Sequence, residues 1–149
     1  MDKLDQYGYF CDGINWLSLE DIIQINRRLI KAQTPDEPIS VIKPNELSSS
    51  QHSPNQYRYF NNCEDIFELC SVLICSLIRN HCFENANKRT AMKSGYIFLL
   101  MNGFELTASD DDFIEIAEGI ALHIYAREEV SDWLYHWSRE FDARNLLTP

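Results

Sequence analysis

Apolar residues recur at helical spacing along most of the chain, and the breaks between the stripes mark its organisation. Ser18 precedes Ile22, Ile23, Ile25, Leu29 and Ile30, which predicts an amphipathic helix over 18–32 with Ser18 and Asp21 as its capping box. Over 64–80, Ile66, Leu69, Cys70, Leu73, Ile74, Leu77 and Ile78 follow the same rhythm with apolar neighbours on most sides, so this helix is expected at the centre. It ends at the polar turn Arg79-Asn80-His81. A second central helix is predicted from about Asn87 through Ala91, Gly95, Phe98 and Leu99 to Asn102-Gly103, where glycine supplies a left-handed stop. Phe104 to Thr107 reads as a short extended piece. Helices over 110–123, with Asp110, Asp111 and Asp112 facing the positive end of its dipole, and over 127–143, presenting Val130, Trp133, Leu134, Trp137 and Phe141, complete the pattern.

Between residues 34 and 62 the periodicity is lost among Pro35, Pro38, Pro44, Pro54 and the polar run Ser48-Ser49-Ser50-Gln51-His52-Ser53. A long irregular stretch inside a compact domain is usually functional or mobile. No repeat or second domain is visible, so residues 1–149 are expected to form one all-α domain around a helix-loop-helix core at 64–103.

A length of 149 residues with 45% apolar content suits a single self-sufficient core. The formal charge of -10 repels a polyanion and argues against nucleic acid. Against that background Arg79, Lys88, Arg89 and Lys93 form one cationic spot, of a size for a small anion. The five cysteines match no disulfide or zinc spacing and read as free thiols in a reducing cytoplasm. No apolar run reaches membrane-spanning length, and the start MDKLDQYGYF has no basic region followed by an apolar stretch, so neither a membrane nor export is expected.

The chemistry concentrates in His81-Cys82-Phe83-Glu84-Asn85-Ala86-Asn87-Lys88-Arg89-Thr90, the connection between the two central helices. Free N–H groups at the helix start near Asn87 make an anion site, and Lys88 and Arg89 add charge beside it. His81 sits at the rim, an imidazole placed to take a proton from an attacking hydroxyl. Phosphoryl-type transfer needs little more than such positioning and charge neutralisation. Cys82 as a nucleophile lacks an orienting partner, because neighbouring residues seldom face one another. Cys70 and Cys75 look like small core residues, and His52, His123 and His136 like ordinary surface or core histidines.

This segment resembles the Fic/Doc family, whose motif H-x-F-x-[D/E]-[G/A]-N-x-R is matched in register by His81, Phe83, Ala86, Asn87 and Arg89. Ala86-Asn87-Lys88-Arg89-Thr90, Arg79 and the continuation to Asn102-Gly103 are closer to the Doc branch, the toxins of death-on-curing modules. The likeness covers roughly residues 64–140. It implies a Fido fold, with His81 as general base, Phe83 anchoring the loop, and Asn87, Lys88, Arg89 and Arg79 around the nucleotide phosphates. Lys88 stands where AMP-transferring members usually have Gly and Doc has Lys, so the resemblance leans toward phosphorylation from ATP, as Doc phosphorylates a Thr of elongation factor Tu. It also implies a target protein, a translation factor among the possibilities, and an antitoxin partner. The family's inhibitory [S/T]-x-x-x-E-[G/N] helix has no match, since Ile114 stands where Ser or Thr should precede Glu118-Gly119.

The fifth motif position, acidic in active members because it binds magnesium, is Asn85. An amide oxygen is a far weaker ligand for a hard dication than a carboxylate, which leaves Asn85 or the neighbouring Glu84 as the available metal donors. The alternative function is therefore a catalytically silent Fido module that binds a nucleotide or a partner. In the family, the region corresponding to 34–62 includes a flap that docks the target as an added strand. Ile39 to Ile42 and Tyr57 to Phe60 are its candidate arms, and an ordinary loop is the competing expectation.

Overall fold

A computed structural model describes residues 7–142. In chain order they form β1 (Tyr9–Cys11), β2 (Ile14–Trp16), α1 (Leu19–Gln33), α2 (Pro44–Asn61), α3 (Ile66–Asn80), α4 (Asn87–Met101), β3 (Phe104–Leu106), α5 (Asp110–Ala121), α6 (Arg127–His136) and β4 (Ser138–Glu140). The architecture is a helical bundle with two small antiparallel hairpins, β1 with β2 and β3 with β4. Among the described residues no helix is long and apolar enough to cross a membrane.

Helix α3 is the hub, packed by α2, α4, α5 and α6. Its apolar residues on several sides explain this: Leu69, Cys70, Leu73, Ile74, Cys75, Leu77 and Ile78 are all buried. Gly95 lets α4 cross closely, because a Cβ there would overlap the Ile74 side chain. Ser18 and Asp21 form the expected capping box of α1, and the three acids open α5.

The stretch 34–62 is neither a long loop nor a two-armed flap, since residues 44–61 form α2. Tyr57 to Phe60 are helical, so the second proposed arm is corrected. The sequence disguises this helix in two ways. Pro54 lies inside it, but the Ser50 carbonyl that Pro54 cannot serve accepts the Ser53 hydroxyl at 2.7 Å. Its inward face is also largely polar. Besides Leu47 and Pro54 it buries Ser50 and Gln51. The Ser50 Oγ accepts from the Ser76 hydroxyl at 3.0 Å and from Asn80 Nδ2 at 2.7 Å. Gln51 Nε2 donates to the Leu17 carbonyl at 3.0 Å. Packing by hydrogen-bonded seams leaves no apolar stripe to read.

The last helix ends at His136, short of the expected 143. Residues 138–140 instead pair with 104–106, Leu106 opposite Ser138 and Phe104 opposite Glu140, and part of the predicted span lies outside the described residues. Three polar strand residues held by backbone bonds carry no periodicity of their own. The β1–β2 hairpin turns at Asp12-Gly13, both at positive φ. It is fastened to the end of α4 by paired bonds between Asn15 and Asn102 of 3.0 and 2.9 Å.

Candidate active site

Helix α3 delivers His81 as its C-cap, in the left-handed conformation at φ 51. The backbone just before it is fixed from two sides. Asn80 Nδ2 is bound to Ser50 of α2, and the Asn80 carbonyl accepts Lys43 Nζ at 3.2 Å. His81 itself is exposed, so an imidazole on a firmly held backbone faces solvent.

Beyond it Cys82 and Phe83 turn inward. Phe83, 2% exposed, is the expected anchor in the core. The Asn87 side chain closes the loop on itself. Its Oδ1 accepts the Phe83 N–H at 2.9 Å and its Nδ2 donates to the Phe83 carbonyl at 2.8 Å. Asn87, expected at a phosphate, thus uses its buried amide to shape the loop. Ala86, at φ 63, then swings the chain into α4 without a side-chain cap or an acid in the first turn. The first-turn N–H groups of α4 thus receive no side-chain cap and no neighbouring acid, the arrangement that suits a helix start to an anion.

Two further pieces position the loop. Asn26, buried within the apolar face of α1, donates through Nδ2 to the Asn85 carbonyl at 2.9 Å and to Thr90 Oγ1 at 3.0 Å. The sequence reading passed over it, although an amide amid Ile22, Ile25, Leu29 and Ile30 is a visible signal. The segment before α2 lies along the loop as a strap. Val41 forms an antiparallel bridge with Phe83. Ile42 N–H donates to the Cys82 carbonyl at 2.8 Å and Glu84 N–H to the Ser40 carbonyl at 3.0 Å. Within Ile39 to Ile42, Val41 is bridged to the loop and Ile42 lies in a bend, so this segment edges the candidate site through a single bridge.

The cationic spot is divided by the fold. Lys88 is exposed at the start of α4. Arg89 is held by acceptors from α1 and the strap: Gln33 Oε1 and Thr34 Oγ1, each at 3.2 Å, and the Glu37 carboxylate at 3.0 Å. The Thr34 hydroxyl and then Arg89 hold the Glu37 carboxyl below its ordinary range. Arg79 is committed elsewhere, donating to the Tyr125 carbonyl at 3.0 Å and to that of Ile120 at 3.5 Å. There it neutralises the end of α5. Lys93 lies over the Tyr96 ring at 5.1 Å. Lys88 and Arg89 alone flank the loop's helix start as expected.

Burial pushes the Cys82 thiol up, which suits a core residue and disfavours a thiolate nucleophile. The donor set at the fifth motif position does not fit a carboxylate-held magnesium ion. Asn85 offers one amide oxygen, and its Nδ2 is bound to the Pro38 carbonyl at 3.0 Å. Glu84 is exposed beside it.

A bundle that presents a histidine, a clasped loop and an uncapped cationic helix start in this order defines a class of proteins, and the comparison with known families agrees. The model of the Fic/DOC family matches residues 16–99, more than half of the chain, and the chain belongs to that family; its architecture is the mostly helical Fido fold. It is similar to the protein kinase doc of Escherichia phage P1, 31% identical over 75 residues, which cover 50% of this chain and 59% of that relative. The chain thus spans less than two thirds of the relative's length.

Proposed function

We propose that the protein is a transferase that moves a phosphate-containing group from a nucleoside triphosphate to a hydroxyl of a target protein, phosphorylation being favoured over AMP transfer. The observation that carries this reading is the helix start after His81: N–H groups with no side-chain cap and no first-turn acid, flanked by Lys88 and Arg89. Cations there are unfavourable without an anion, and a nucleotide's phosphates supply one. His81 takes the proton of the attacking hydroxyl as its oxygen bonds to the γ-phosphorus, and the bond to the leaving nucleoside diphosphate breaks; in AMP transfer the attack is at the α-phosphorus and inorganic diphosphate leaves. The relative's printed designation as a protein kinase supports phosphorylation.

The strap supports the choice of a protein substrate. In the register of its bridge with Phe83 the peptide groups of Val41 face away from the loop, an edge on which an extended target segment adds as a strand beside His81. Ile39 and Ile42 are exposed on it. By the same likeness the protein acts in the cytoplasm as a toxin, with a separate antitoxin chain as partner and a translation factor as one class of target.

A second reading has its own observation. Asn85 replaces the metal-binding acid and is bound to Pro38, which favours a silent Fido module that binds a nucleotide or partner without transfer. Intact-mass spectrometry of cytosolic proteins incubated with the protein, ATP and magnesium separates the two. A His81-dependent gain of about 80 daltons marks phosphorylation and about 329 AMP transfer, both covalent additions. No His81-dependent gain establishes the silent module.

A further inference from the structure

Arg89 is the one guanidinium at the start of α4, and on the reading above it holds phosphate. In this structure another anion holds it. Glu37 Oε1 lies 3.0 Å from one terminal nitrogen, while Gln33 and Thr34 oxygens lie 3.2 Å from the other. A carboxylate oxygen and a phosphate oxygen are equivalent anionic acceptors for a guanidinium N–H, and Glu37 meets Arg89 through one of its oxygens. Both residues are about one-third exposed, 34% for Arg89 and 36% for Glu37, so the pair is within reach of a competing ligand.

Glu37 does not sit there as a free surface side chain. Its N–H donates to the Thr34 carbonyl at 2.9 Å, a turn that carries the chain off the end of α1 and brings the carboxylate back over α4. Immediately after it the strap is tied to the loop by the Asn85 amide on the Pro38 carbonyl, the Glu84 N–H on Ser40, and the Ile42 and Lys43 N–H groups on the Cys82 carbonyl. The residue that departs from the family's acidic position is thereby given work an acid could not do, because a carboxylate has no N–H to offer a carbonyl.

We propose that residues 37–42 are a built-in restraint, in which Glu37 occupies one terminal nitrogen of the Arg89 guanidinium, the other being held by Gln33 and Thr34, and the Asn85 amide holds the strap in that position. A nucleotide then binds by displacing Glu37, and the protein is self-limited without a separate inhibitory helix. The proposal rests on Arg89 being the phosphate ligand, and it adds that the unliganded site is closed by this chain's own carboxylate.

Calorimetric titration with ATP, without magnesium and at low salt, tests it on wild type, Glu37→Gln, Asn85→Ala, Arg89→Ala and the Glu37→Gln/Arg89→Ala pair, each checked by circular dichroism. Glu37→Gln is expected to bind about three- to fivefold tighter, the scale of a part-exposed ion pair. Asn85→Ala shifts the same way, and the double variant binds as weakly as Arg89→Ala alone. If Arg89→Ala weakens binding while Glu37→Gln equals or falls below wild type, the restraint is overturned and the phosphate site stands, with Glu37 a support that orients Arg89. If wild type and every variant fail to bind ATP, the phosphate-site reading falls and the restraint with it.

Discussion

At the start of α5, Ser109 Oγ accepts the Asp112 N–H at 3.2 Å while the Asp112 carboxylate accepts the Ser109 N–H at the same distance, and two more acids fill the first turn. At the start of α4, a left-handed Ala86 offers no such group and the next charges are Lys88 and Arg89. Both helices leave N–H groups without partners in their own first turn. The α5 terminus meets that demand with local side chains and so closes itself to ligands. The α4 terminus leaves it to something outside the helix. A helix start that opposes its own dipole is costly to the fold, and that cost is what a functional site looks like before its ligand is known.

The sharpest way to separate the two termini is to remove a group from each and ask which property falls. His81→Ala is expected to abolish transfer, by at least about 100-fold for a lost general base. Thermal unfolding should be unchanged, because His81 is exposed; equal label transfer by wild type and variant would sink its catalytic role. Lys88→Glu makes the start of α4 resemble that of α5, and ATP affinity by titration should drop about tenfold, or about 1.4 kcal/mol. Unchanged affinity would mean that Lys88 is only a solvated first-turn charge. Asn26→Ala strands the Asn85 carbonyl and the Thr90 hydroxyl, and urea unfolding should show a loss of about 1–3 kcal/mol. Ser109→Ala should cost about 1 kcal/mol of stability and leave ATP affinity untouched; an effect on affinity would break the contrast.

The same contrast explains what could be read from the sequence. Helices α1, α3, α4 and α5 announced themselves by stripes of Ile, Leu and Phe, and α1 also by its Ser18-Asp21 cap, because their cores are apolar. The loop from His81 to Arg89 was legible as a concentration of chemistry. Its internal construction was not, since Asn87 clasps Phe83, and Arg79 belongs to the end of α5, through contacts that only the folded backbone defines. Helix α2 was hidden because Pro54 and a serine-rich face mimic a loop. The strap was half visible: the candidate arm Ile39 to Ile42 does border the loop, through a single bridge at Val41, whereas the pairing of Glu37 with Arg89 joins residues with no local relation in the chain.

The seam between α2 and α3 has a further consequence. Greasy side chains tolerate a helix that slides or rotates a little, whereas hydroxyl and amide contacts are directional and are satisfied in one alignment only. Displacing α2 by a single turn, about 5.4 Å, would break the bonds of Ser50 to Ser76 and Asn80 together. Asn80 immediately precedes His81 and the strap leads directly into α2, so the polar seam acts as a vernier that sets the His81 imidazole and the strap edge to a common zero.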